Sequence, residues 1–183
     1  MKRLCLPLLL VLCLLLTGCG GRAEREKYRE FSDELSSAQA LSFVSDVRCE
    51  YEDRSLDFRL SFEGEPGLCT VEVLEPEIIH GIKAQLKAGG SALEYEDIIL
   101  DTGDLDSYGL TPMSALPCLA EAMAEGHPEV FWNEDGLFVC ELSLNEHLRA
   151  VVRFNPGSMI PADAELISDG SVKVFCKIEN WNQ

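Results

Sequence analysis

Apolar residues run almost unbroken from Leu4 to Leu16, and after a charged stretch, "RAEREKYRE", they thin out to every third or fourth position. Tyr28, Phe31, Leu35, Ala38, Leu41 and Val44 keep that spacing, which predicts an amphipathic helix over about 24–44. The period then drops to two. Val47, Cys49 and Tyr51 share one face and Arg48, Glu50 and Glu52 the other; Leu56, Phe58, Leu60 and Phe62 alternate with Asp57, Arg59 and Ser61. Beyond the turn "EGEPG", Cys69, Val71 and Val73 continue the alternation, followed by Ile82, Ala84 and Leu86. The turn "KAGG", then Leu93 and Tyr95, and finally Ile98 to Leu100 complete an antiparallel meander with one apolar and one wet face.

"DTGDLDSYGLTPMSALPCLAEAMAEG" interrupts the strands with a second helix. Thr111 or Ser114 can cap it; Pro117 favours the later start, because a proline deeper in a helix removes a hydrogen bond. Leu116, Leu119, Ala120 and Met123 form its apolar stripe, and Gly126 and Pro128 stop it. Strands resume around Val130 to Trp132, then Phe138, Cys140 and Leu142, then "HLRAVVRF", "AELI" and "VKVFCKIENW". The expected class is α+β, with about eight to ten antiparallel strands and two helices to cover their apolar face. A strongly curved sheet, a half-barrel around the two helices, is the economical arrangement; a closed barrel also satisfies the pattern.

The first apolar run changes the picture of where the chain works. Thirteen apolar residues behind Lys2 and Arg3 make about 20 Å of helix, short of the roughly 20 residues a bilayer span needs. The run reads as a cleaved leader. Leu16-Thr17-Gly18-Cys19 resembles the bacterial lipobox, in which the cysteine thiol takes a diacylglyceryl group and cleavage falls just before it. The expected organisation is a signal peptide at 1–18, a lipidated Cys19 and short tether at 19–23, and a single domain at 24–183. Losing Lys2 and Arg3 takes the formal charge from −17 to −19. Such a surface repels nucleic acid and anionic headgroups, so attachment to the membrane would rest on the lipid.

With a helix at 28–44, a meander from 47 to 100, a helical interruption near 112–125 and the closing "FNPGSMIPADAELISDGSVKVFCKIENW", the chain resembles the LolA/LolB superfamily of lipoprotein and lipid carriers. That resemblance implies a half-barrel plugged by helices, with Pro161 leading the penultimate strand. It also implies a role in handling lipids or binding envelope partners; some spore-former lipoproteins of this shape regulate a cell-wall amidase. The arginine that holds the soluble carrier's lid and the exposed apolar loop of the anchored receptor find no match here. The expectation therefore covers the fold and a binding role, not delivery between membranes.

Catalytic chemistry has little support. His80, His127 and His147 are far apart and form no zinc motif, and there is no nucleophile elbow or phosphate-binding loop. Asp101, Asp104 and Asp106 lack the spacing and terminal glutamate of a calcium loop. Five cysteines remain after Cys19: Cys49, Cys69, Cys118, Cys140 and Cys176. Meander order sets Cys49 and Cys69 two strands apart, beyond disulfide reach, so buried thiols are one reading and one or two disulfides in another strand order the alternative.

The expectation is a non-enzymatic lipoprotein on the extracytoplasmic face of the cell membrane, anchored through Cys19 and without a cofactor. It would bind a lipid or acylated ligand in an apolar cavity. Tyr51, Phe58, Leu60, Phe62, Val71, Val73, Ile82 and Leu86 would line that cavity, with Leu116, Leu119 and Met123 at its mouth. The alternative is a packed interior and a protein-binding module, for example one that regulates a cell-wall or germination enzyme.

Overall fold

In the computed structural model of the chain, residues 20–87, 89–103 and 110–183 are described. The segment read as a leader, Cys19 with the residues read as a lipobox, and Asp104 and Asp106 lie outside the described residues.

Helix α1 (Gly20–Ser37) buries Tyr28, Phe31 and Leu35, three and four residues apart, and so starts within the span read as a tether. It stops earlier than its apolar spacing suggested. Leu41 and Val44 belong to strand β1 (Leu41–Glu50), where the burial alternates through Leu41, Phe43, Ser45, Val47 and Cys49. Leu41 fits both a three-residue and a two-residue period. The strand wins because β1 gains a full ladder of partners on each side, from β2 and from the last strand of the chain.

The first meander continues through β2 (Ser55–Glu65), β3 (Leu68–Glu75), β4 (Lys83–Lys87), β5 (Gly90–Tyr95) and β6 (Ile98–Gly103), with a 3₁₀ turn at Glu77–Ile79 before β4. Helix α2 (Pro112–Glu125) leads to the second, β7 (His127–Glu134), β8 (Leu137–Ser143), β9 (Leu148–Phe154), β10 (Pro161–Ser168) and β11 (Ser171–Asn182). All eleven strands join one antiparallel sheet in the order β6-β5-β4-β3-β2-β1-β11-β10-β9-β8-β7. The count exceeds the expected eight to ten. One reason is the two-residue turn at Glu96-Asp97, with Glu96 at φ 52°, which folds β5 and β6 onto each other. The two meanders meet through β1 and β11 at the centre, and β6 and β7 are left as free edges. The sheet is open, so the closed barrel is excluded.

Helix α2 contacts β2 and β3 on one wing and β8, β9 and β10 on the other. Six strand spacings separate β3 from β8, about 29 Å in a flat sheet, whereas a 14-residue helix is about 21 Å long. The sheet curves so that its two wings approach the same short helix. Thr111 caps α2: its hydroxyl accepts from Ser114 N at 3.2 Å while the Ser114 hydroxyl accepts from Thr111 N at 2.8 Å. This reciprocal box and Pro112 in the first turn set the earlier of the two starts. Pro117 is accommodated inside the helix, against expectation, and the burial of Ser114, Ala115, Leu116, Leu119, Ala122 and Met123 offsets its missing bond.

The core lies between the concave face and the helices. Phe31 meets Phe154 edge-on, with ring centroids 5.0 Å apart, and Phe43 stacks on Trp181 at 5.3 Å. Phe31 also lies 6.3 Å from Trp181, so α1 is tied to β9 and to β11, and the Phe43–Trp181 stack carries the contact across to β1.

Candidate functional site

Residues expected to line a cavity are, with one exception, gathered into that core. Leu60, Phe62, Val71 and Val73 project from β2 and β3 onto Leu116, Leu119 and Met123 of α2, and all seven are at most 2 % exposed. Phe58, Ile82 and Leu86 pack against the same cluster from its margin and are partly buried. Tyr51 is the exception: it follows the end of β1 and is 43 % exposed, because the chain turns at 51–54 before its alternation can carry it inward. Among these residues the concave face is filled by side chains and helices.

The helices are bound to each other by polar contacts as well as packing. Tyr28, Ser32 and Ser36, spaced four residues apart on α1, donate to the carbonyls of Met123 (2.9 Å) and Ala124 (2.8 and 3.0 Å) in α2. Those carbonyls belong to the last turn of α2 and have no partner within the helix. Burial, reinforced by Cys140, raises the Tyr28 pKa, so its hydroxyl stays a donor.

Two recesses open at the surface. The larger, about 1000 Å³, crosses β2, β1, β11 and β10. Phe175, which lies in register with Arg48 on one side and Glu165 on the other, is 40 % exposed there. The cations around it are paired off: Arg48 with Asp57 (2.7 Å), Arg59 with Asp46 (2.6 Å) and Glu179 (2.8 Å), and Lys177 with Glu179 (3.1 Å). Hydrogen bonds from Arg59 and Lys177 hold the Glu179 pKa below its ordinary value. These cations are already engaged, which makes the recess a poor anion receptor. The second recess, about 640 Å³, lies between Ser114, Cys118 and Glu121 of α2 and the loop Leu144–Leu148. His147 borders it, with Nδ1 2.9 Å from Asp169 Oδ1 in an exposed pair.

His80, His127 and His147 sit in three different parts of the sheet margin, and no group of three metal-binding side chains occurs among the described residues. The five described cysteines are all free thiols. Burial is the chief cause that pushes Cys49 up to about 11 and Cys140 and Cys176 up to about 12, so none of these three is poised as a nucleophile. No described helix is long and apolar enough to cross a membrane.

What the sequence reading missed is at the free edge. In β6, Ile98, Ile99 and Leu100 are 69, 70 and 61 % exposed, and Tyr95 across the turn is 45 % exposed. Ile98 to Leu100 read as the end of the meander; only the strand order reveals that no described strand lies beyond them.

No family model matches the chain, and no curated protein matches it either. Solved structures do. A LolA superfamily protein from Nitrosomonas europaea superposes with a TM-score of 0.50 at 14 % identity, over 86 % of this chain and 92 % of that one. A DUF1329 family protein from Desulfovibrio piger gives 0.50 at 9 % identity, over 88 % and 92 %. An uncharacterized conserved protein from Thermus thermophilus gives 0.51 at 8 % identity, over 87 % and 86 %. The fold is shared with these structures, one of them a LolA superfamily protein, as the order of elements suggested; at these identities the likeness concerns the fold alone.

Proposed function

We propose that this chain is a non-catalytic binding protein of the cell envelope, held at the extracytoplasmic face by a lipid on Cys19, and that its ligand is another protein. One observation carries the reading: under the helices the concave face is packed with side chains, while the largest run of exposed aliphatic residues among those described lies beyond the helices, on edge strand β6. A formal charge of −17, or −19 without the leader, would steer a basic partner toward the anchored body. No group of catalytic side chains enters this account.

A second reading keeps an acylated ligand between helices and sheet, against Phe58, Leu60, Phe62, Val71, Val73, Ile82, Leu86, Leu116, Leu119 and Met123, with Tyr51 at the rim. The observation in its favour is that Tyr28, Ser32 and Ser36 of α1 bond to α2 and not to the sheet. The two helices could then lift as one unit and expose an apolar floor. Native mass spectrometry of residues 20–183 from an exporting host separates the two. A bare mass is expected; a non-covalent adduct of several hundred daltons that extracts as lipid would overturn the protein-binding reading in favour of the second.

A further inference from the structure

We infer that strand β6 is a docking edge for an extended, positively charged segment of another protein, which adds to the sheet as a twelfth strand. The inference rests on the protein-binding reading and gives that reading a place and a partner chemistry.

Three features of the edge converge. First, among the described residues β6 pairs only with β5. In an antiparallel pair alternate residues exchange both backbone bonds, so every second residue of β6 turns its N–H and C=O outward. Natural sheets usually blunt such an edge with lysine, proline, a bulge or a cover; Ile98–Gly103 has neither lysine nor proline, and its one irregularity, at Thr102, leaves Ile98 to Asp101 in regular register. Second, register places Leu100 opposite Leu93 and Ile98 opposite Tyr95, on the inner side, where Leu93 packs against the core. The principal contacts of α2 on this wing stop at β3. Tyr95, Ile98 and Leu100 thus continue the apolar inner face past the helices, and a further strand would cover them. Ile99, opposite Glu94, shows its side chain on the outer face.

Third, charge selects the occupant. The β5–β6 hairpin, residues 90–103, carries Glu94, Glu96, Asp97 and Asp101 and no lysine or arginine. A second copy of this chain would set the same four acids against themselves, on bodies that are each strongly negative, which disfavours self-pairing. A segment of about six residues that alternates apolar side chains with Lys or Arg satisfies all three features at once. Its apolar side continues the inner face, its basic side meets Ile99 among acids, and its backbone completes the ladder.

The test is to pan a displayed library of random decapeptides against residues 20–183 and to measure the enriched peptides by titration. The expected peptides alternate apolar and basic residues. Their affinity should fall at least tenfold on Ile99→Lys, stay unchanged on Ile160→Lys (another exposed aliphatic site), and weaken several-fold between low and high salt. Amide exchange should slow in β6 alone, and an unaltered thermal midpoint shows that each variant folds. Peptides indifferent to Ile99→Lys would overturn the edge while leaving the protein-binding reading in place. A concentration-dependent dimer abolished by Ile99→Lys would make a second copy the occupant and overturn the inference. So would the absence of any enriched peptide. A lipid adduct in native mass spectrometry would instead overturn the parent reading.

Discussion

The Tyr28 hydroxyl donates to the Met123 carbonyl at 2.9 Å, buried, across 95 residues of chain. With Ser32 and Ser36 it makes one stripe of α1 the C-terminal cap of α2. The capping is tertiary: Gly126 closes one carbonyl, that of Ala122, through its own N–H at 3.0 Å, and α1 supplies donors for the next two. The element that plugs one end of the concave face is thus also the element that completes its neighbour.

Replacing Tyr28 with Phe keeps the ring, which lies 6.2 Å from Phe31 and 5.9 Å from Phe131, and deletes the donor. The Met123 carbonyl is then buried without that partner, at a cost of about 1–3 kcal/mol. Tyr28→Ala loses the packing as well and should cost about 3–5 kcal/mol. Urea unfolding of residues 20–183 measures both. A Phe variant as stable as the parent would show that the hydroxyl contributes nothing.

Ser32 and Ser36 share one acceptor, the Ala124 carbonyl, at 2.8 and 3.0 Å. Either one suffices to occupy it, so Ser32→Ala and Ser36→Ala should each change stability by no more than about 0.2 kcal/mol, while the double variant loses about 1 kcal/mol. That excess over the sum is the signature of a shared acceptor. Strict additivity in a double-mutant cycle would refute it.

Much of this fold could be read from residue order. Leu60, Phe62, Val71 and Val73 were placed on the apolar face by period alone, and they lie there, because a half-buried strand leaves its alternation in the sequence whatever its neighbours are. Leu41 and Val44 misled because a three-residue step is compatible with helix while the pairing that makes them strand comes partly from β11, more than a hundred residues away. Pro117 misled in a similar way: taken alone it opposed a helix start at Thr111, and the capping box at Thr111 and Ser114 together with burial of the helix overrode it. The free edge was illegible. Ile98, Ile99 and Leu100 have the composition of a covered strand, and whether a strand is covered is a property of topology, which no local pattern encodes.

On the outer face, Arg153 reaches three carboxylates: Asp163 at 2.9 Å, Glu165 at 3.0 Å and Glu134 at 3.6 Å. In a chain with 15 Lys and Arg against 32 Asp and Glu, this cation ties β9 to β10 and reaches the edge strand β7. Arg153→Met leaves three acids facing one another and should cost about 1–3 kcal/mol at low salt, with much of the loss recovered as salt screens the repulsion. Arg153→Lys should fall between, since an ammonium cannot fork to two carboxylates as a guanidinium does. An equal loss at low and high salt would mean that packing, not charge, is what Arg153 supplies.

Buried thiols set the behaviour at high pH. Cys49, Cys140 and Cys176 ordinarily ionise near 9.0, but in the folded chain they are pushed up to about 11, about 12 and about 12. Cys69 and Tyr28 shift in the same direction. Above pH 9 the unfolded chain therefore loses protons that the folded chain keeps, and stability falls as pH rises. Each of Cys49, Cys140 and Cys176 steepens the fall by about 1.4 kcal/mol per pH unit until its folded form also ionises, Cys49 before the other two. Below pH 9 these groups make no difference. Urea midpoints at pH 8, 9.5 and 10.5 should decline, and Cys140→Ala should lessen the slope whatever it does to stability at pH 8. In register, Val47 faces Cys176 and Cys49 faces Val174, so Cys49 and Cys176 are diagonal neighbours on β1 and β11. Diagonal positions are about 7–8 Å apart, too far for a disulfide without movement of the backbone. With residues 20–183, a thiol reagent at pH 8 should thus leave Cys49, Cys140 and Cys176 unreacted in the folded state and count five thiols on unfolding. A flat alkaline profile, or fewer than five thiols, would contradict the burial of free cysteines that this packing requires.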